Sequence, residues 1–209
     1  MIITKKEKRI QFNKDNILEA AEKLFLEKGI SQTTMDEIAK KSEYSKSTIY
    51  VYFKSKEDIY YHIVYRGMEM FYEKLKNAIN VNTDCKTNFF AVCHVLTDIQ
   101  EESTLYFESI LNTILVDDVN MKEFIILKSI YEVGEEINEL LIKVFEDGMR
   151  KREIRENIDP FQTIFMMWAS IGGIIKMATQ KSNYLKEKKG ISQDEFLNYS
   201  FLLLYQSLL

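Results

Sequence analysis

Residues 33–56 read TTMDEIAKKSEYSKSTIYVYFKSK, two helix starts and a short polar break followed by a cationic, phenol-bearing surface. Thr34 followed three positions later by Glu37 is a capping box, in which each side chain satisfies a backbone donor of the other. The inward face of that helix is Ile38 and Ala39. After Ser42, Glu43 and Tyr44 the pattern restarts at Ser45, a good N-cap hydroxyl. Ile49 and Phe53, four apart, supply the buried stripe of a second helix of about two turns. Everything else on it faces outward: Lys46, Ser47, Thr48, Tyr50, Val51 and Tyr52, then Lys54 and Lys56, with no carboxylate from Ser45 to Lys56.

Cations, hydroxyls and phenols suit phosphates. A helix lying in a major groove roughly 12 Å wide brings its front residues to base edges, while flanking cations and phenols fix the register on the backbone. The candidate DNA-binding residues are therefore Thr34, Ser45, Lys46, Ser47, Thr48, Tyr50, Val51, Tyr52, Lys54 and Lys56. A solvated polar face is the bland reading of any charge run, but two outward tyrosines bracketed by lysines on so short a helix weigh against it.

With the helix before it, this stretch resembles the amino-terminal domain of the TetR/AcrR family of bacterial transcriptional regulators. The family pattern is a helix ending F-x-x-x-G, then T-T-x-x-x-I-A, a turn, and S-K-x-T-hydrophobic-Y-x-Y-F-K-x-K-E. It is met here by Phe25 and Gly29, by Thr33, Thr34, Ile38 and Ala39, and by the run from Ser45 to Glu57. The match covers about the first quarter of the chain. One departure stands in the turn, where the family usually carries glycine and this chain has Glu43. If that position needs positive φ, it costs about 1–2 kcal/mol, and it sets a negative charge near the DNA-facing surface.

The overall charge of -4 hides an asymmetry, because residues 1–56 hold 12 Lys and Arg against 8 Asp and Glu, leaving the remainder at -8. A basic binding head on an acidic body shows this pattern. With 209 residues, one proline and seven glycines, the chain fits an all-α fold of about nine helices. A three-helix helix-turn-helix head is expected over 1–54 and a helical ligand-binding and dimerisation body over 55–209. Cys85 and Cys93 lie eight apart on one predicted helix without metal-ligand spacing, and read as reduced core cysteines. No metal or cofactor is expected. The start has no signal-peptide core, and the apolar run 164–175 is short of the roughly 20 residues a bilayer needs. A cytoplasmic protein without a membrane partner is the expectation.

In chain order, residues 1–13 are expected to form a basic arm without fixed structure, able to track phosphates or serving only as a solubilising tail. A helix then runs from about Asp15 to Lys28, stopped by Gly29. Ser55 caps a long fourth helix reaching Ile79, the natural lever between head and body. Helices follow around Phe89 to Ile99 and Tyr106 to Ile114. The next, capped by Asn120 and Glu123, is expected to kink near residues 129–134. Asp159-Pro160 opens the penultimate helix and Ser192 with Glu195 the last, with a lysine-rich loop over 183–190 between them.

The last two long helices are apolar most of the way round, so each needs cover on two sides, one of which a second copy can supply by an isologous contact. The candidate interface residues are Ile164, Trp168, Ile171, Ile175, Phe201, Leu204, Tyr205 and Leu208, and Gly172 and Gly173 would allow close helix approach. Dimerisation through these helices is also what the resemblance implies. Two heads about 34–36 Å apart then read the halves of a palindrome.

The resemblance further implies a small-molecule pocket in the body whose occupation releases DNA. By composition the candidates are Phe89, Phe90, His94, Tyr106, Phe107, Phe124, Tyr131, Met166, Met167 and Trp168, suited to a largely apolar effector of unknown identity. No hydrolase, zincin or nucleotide-loop motif is present, and the nearest thing to a catalytic carboxylate pair, Asp117 with Asp118, falls between helices. The expectation is a homodimeric, ligand-responsive repressor that is not an enzyme. A DNA-binding protein without a small-molecule effector, regulated by a protein partner or architectural, is the alternative.

Overall fold

The computed structural model describes residues 4–111, 122 and 124–209. Ten helices are found among them: α1 Lys5–Gln32, α2 Met35–Ser42, α3 Lys46–Tyr52, α4 Lys56–Ala78, α5 Cys85–Glu102, α6 Thr104–Leu111, α7 Ile126–Arg150, α8 Pro160–Gln180, α9 Ser182–Lys189 and α10 Gln193–Gln206. There is no strand among the described residues. They cluster into two compact units, one of 4–67 with 122 and 124–131, the other of 68–111 with 132–209.

In the first unit, α1 packs on α2 and α2 on α3. Ile17, Ala21, Ile38, Ile49, Phe53, Ile59 and Ile63 are its buried floor, each large side chain contributing about 1.5–3 kcal/mol by leaving water. Gly29 at φ 80° ends the main run of α1. The buried Thr33 hydroxyl donates to its carbonyl at 2.9 Å. The Thr34–Glu37 box forms in both directions. Its carboxylate also takes Lys28 at 2.5 Å, and these hydrogen bonds hold Glu37 down at about 2.

Two sequence expectations change. Residues 5–13 are not an unstructured arm: Thr4 and Glu7 form a reciprocal capping box that starts α1 at Lys5. Residues 183–190 are not a loop, because α9 occupies Ser182–Lys189 and Gly190, at φ 68°, ends it. No residue of α9 is buried, so there was no apolar period to read.

In the second unit, α8 packs on α10, α5, α6 and α9, and α10 also on α5. Helix α7 runs unbroken through residues 129–134, where a kink was expected. The cap expected at Asn120 and Glu123, the end of the sixth helix at Ile114, and Asp117 with Asp118 lie outside the described residues. Asp159 caps α8 by accepting the Gln162 amide at 2.7 Å, and Ser192 with Glu195 forms the expected box on α10. Cys85 and Cys93 are free and buried. Burial pushes both thiols up, Cys85 to about 12. By length and composition α8, 21 residues at mean hydropathy 1.2, would pass for a membrane span. Its buried face nevertheless packs on helices of its own unit, as a core helix does.

Candidate nucleic-acid interface

Helix α3 has seven residues, and a helix that short does not hold itself together. It is held by Ile49, fully buried, and by Phe53 just past its end. Ser45 caps it by accepting the Thr48 amide at 3.1 Å. Its hydroxyl also lies 2.8 Å from that of Ser47 and 2.7 Å from that of Thr48. Outward stand Ser47, Tyr50 and Val51, the last two 50% and 75% exposed. These groups can donate, accept and make apolar contact, which is what a base-edge surface needs.

The cations are placed otherwise than expected. Lys46 lies 2.9 Å from Asp36, whose hydrogen bond raises its pKa. The Lys54 ammonium sits over the Phe124 ring at 5.8 Å, and its backbone amide donates to Asp58 at 2.8 Å. Lys56, grouped with the DNA-facing residues, donates instead to the carbonyls of Ile30, Ser31 and Thr33 at 2.9–3.1 Å. It closes the end of α1, because those carbonyls past the Gly29 break lack helical partners. Thr34 and Ser45 act as caps. Tyr52 accepts a hydrogen bond from the Asn13 amide at 2.9 Å, and Asn13 in turn accepts from the Tyr44 hydroxyl at 2.9 Å. Sequence reasoning missed Asn13 and Tyr44; neither carries a motif that would have singled it out.

The second unit holds a partly open apolar cavity of about 20 Å³, room for one water rather than for a metabolite. Of the ten pocket candidates, Phe89, Met167 and Trp168 line it. The rest of its wall, Val92, Leu141, Val144 and Phe145 among it, is aliphatic or phenyl and was not foreseen. Phe90 lies against His94 and Tyr205 with His94 exposed, and Met166 is exposed. Tyr106 is half-buried and Phe107 buried, and neither lines the cavity. Phe124 and Tyr131 belong to the other unit. Among the described residues no group of three or more His, Cys, Asp and Glu is placed to hold a metal.

Residues 17–63 match the family model described as bacterial regulatory proteins, tetR family. Along almost its whole length the chain is similar to IcaR of Staphylococcus aureus, named as the HTH-type negative transcriptional regulator of the biofilm operon icaADBC, at 27% identity over 198 residues, covering 92% of this chain and 98% of IcaR. Its amino-terminal domain is that of the TetR family of transcriptional regulators. Its fold is that of the fatty acid degradation regulator FadR from Bacillus halodurans, with a TM-score of 0.70 at 19% identity over 94% of this chain and 96% of FadR. It is likewise that of FadR from Bacillus subtilis in complex with stearoyl-CoA, with a TM-score of 0.68 at 20% identity over 90% and 96% of the two chains. Like these regulators, the protein is not an enzyme.

The chain leaves a different face of its last long helices uncovered than the one selected from sequence. Ile164, Ile171, Ile175, Phe201, Tyr205 and Leu208 are buried in their own unit, Trp168 is half-buried with its ring edge-on to Phe71 at 5.5 Å, and Leu204 is half-buried. The uncovered face of α8 carries Phe161, Phe165, Met166, Ala169, Gly173 and Met177; that of α10 carries Tyr199, Leu202 and Leu203. Gly172 does not face outward either. A Cβ there would meet the Leu111 side chain of the same unit at 2.7 Å, so the missing side chain admits an internal contact.

Proposed function

We propose that this TetR-family regulator binds a palindromic DNA operator as a homodimer, represses transcription, and is released by a small, largely apolar effector. The observation that carries the reading is the surface of α3, where hydroxyls, a phenol and a valine project from a helix anchored by Ile49 and Phe53. Ser47, Tyr50 and Val51 meet the bases, and Lys46 leaves Asp36 for a phosphate. The head spans 1–54 and the effector and dimer body 55–209. Repression is supported by the similarity to IcaR, a negative transcriptional regulator. Dimerisation is supported by the exposed apolar residues of α8 and α10, two helices that pack on each other and together offer an oily surface to a second copy. Action on DNA places the protein in the cytoplasm.

The effector is apolar because the cavity walls are, and the FadR complex with stearoyl-CoA supports a long acyl chain as the class to try first. A cavity of about 20 Å³ must open to take it. That small volume is also the observation favouring the alternative, a regulator without a small-molecule effector. The test is a gel-shift titration on duplexes selected by the protein from a random-sequence pool, followed by addition of acyl-CoA and other lipophilic compounds. Selection of a two-fold symmetric site and its release by one compound class is the expected result. Selection without release by any compound gives the alternative, and failure to select any sequence removes the DNA reading.

A further inference from the structure

The recognition-helix cations are all engaged within the first unit: Lys46 with Asp36, Lys54 over Phe124 and Lys56 on three carbonyls. Cations without such partners stand on the first turns of α1. Lys6 and Arg9 are exposed, and neither has an ion-pair partner among the described residues. Three apart on a helix, their side chains leave the same face with Cβ atoms about 5–6 Å from each other. Asn13 continues that face one turn on and fixes two phenols at once, donating to Tyr52 and accepting from Tyr44. Between these groups lies an open basin of about 570 Å³, lined by Lys6, Arg9, Asn13, Tyr44, Thr48 and Tyr52 and by no carboxylate.

We infer that this basin seats the phosphodiester backbone of the operator, with Lys6 and Arg9 as its charged wall and Tyr44, Thr48 and Tyr52 as hydroxyl partners oriented through Asn13. The inference rests on α3 being the base-reading helix. It moves the phosphate anchor from the lysines around α3 to the amino-terminal turns of α1. The Thr4–Glu7 box is what makes the anchor rigid: residues 5–13 form a helix with a fixed face instead of a tail that slips into a groove. The chemistry needed is two cations plus convergent hydroxyls, a set that recognises phosphate oxygens in any sequence.

The test pairs Lys6→Ala/Arg9→Ala with Tyr50→Ala, on a duplex selected by the wild-type chain and on an unrelated duplex of equal length, each over a range of salt. Both α1 residues are exposed, so thermal unfolding of the pair variant should match wild type. The expected result is a loss of roughly 10- to 100-fold on both duplexes alike, with the salt slope flattened by about 1 for each phosphate contact removed. Tyr50→Ala should instead lose the selected duplex more than the unrelated one. If the pair variant keeps wild-type affinity and slope while Tyr50→Ala loses the selected site, the phosphate seat is wrong and α3 still reads DNA. If neither variant changes binding, the base-reading role of α3 falls and the inference falls with it.

Discussion

Helix α3 and helix α8 each leave one face uncovered, and the two faces are opposite in chemistry. On α3 the outward groups are Ser47, Tyr50 and Val51 beside a tethered Lys46, small and hydrogen-bonding. On α8 they are Phe161, Phe165, Met166 and Met177, large and apolar, around Ala169 and Gly173. The burial behind them differs as well: α3 has a single buried residue of its own, Ile49, whereas α8 has seven. A short helix held at two points can present polar groups to a polar partner without losing its fold. A long helix with a full core behind it can leave an oily surface for a partner like itself. The contrast separates a surface suited to nucleic acid from one suited to a second copy of the chain.

The largest effect should come from spoiling the apolar face. Met166→Glu/Leu203→Glu puts charges at two exposed positions, so the subunit should keep its helix content by circular dichroism. Sedimentation should then report a monomer. Operator affinity should fall by at least about 100-fold, the usual size of lost bivalency. A dimer that survives both charges would locate the contact elsewhere.

A smaller, more discriminating pair works on the other side of the comparison. Tyr50→Ala should cost about 1–3 kcal/mol of operator binding and leave the melting temperature near wild type, since the phenol is half exposed. Lys56→Met should do the reverse. It strips the carbonyls of Ile30, Ser31 and Thr33 of a shared charged donor, lowering stability by about 1–3 kcal/mol while the folded protein binds DNA with wild-type affinity. Equal effects of the two on binding would return Lys56 to the DNA surface.

These outcomes bear on how far residue order alone carries. The capping boxes at Thr34 and Ser192, the caps at Ser45 and Asp159, and the buried pair Ile49 and Phe53 were legible, because caps and periodicity are local chemistry. The box at Thr4 and Glu7 was equally local and was overlooked beneath a run of lysines. What could not be read was which side of an apolar helix faces inward. When α8 is apolar nearly all round, periodicity does not distinguish Ile164 and Ile171, which are buried, from Phe165 and Met166, which are not. The same limit misplaced the pocket candidates. An aromatic at position 90 or 107 is no different in composition from Phe89, and only the path of the chain decides which one meets Trp168 and Phe145 across the cavity. Lys56 was misassigned for a related reason, since the carbonyls it caps lie more than 20 residues earlier.

The smallest predicted effect concerns Glu43. It sits at φ 60° and ψ 24°, in the left-handed region, where the turn after α2 needs it: the Tyr44 amide bonds back to the Ala39 carbonyl at 3.1 Å, a closure that requires one residue of positive φ before it. An L side chain there costs about 1–2 kcal/mol. Glycine removes that strain but orders a freer unfolded chain, giving back roughly 0.5–1 kcal/mol. Glu43→Gly should therefore stabilise the protein by at most about 1.5 kcal/mol, seen as a rise of no more than about 6 °C in the melting temperature. Because it also removes an exposed negative charge beside Tyr44, it should tighten binding to the selected and unrelated duplexes by similar small factors, more at low salt than at high. Glu43→Gln separates the two contributions. It keeps the strain and drops the charge, so it should reproduce the binding gain without the gain in stability. A Gln variant that melts as high as the Gly variant would show that charge, and not backbone conformation, is what this position costs the protein.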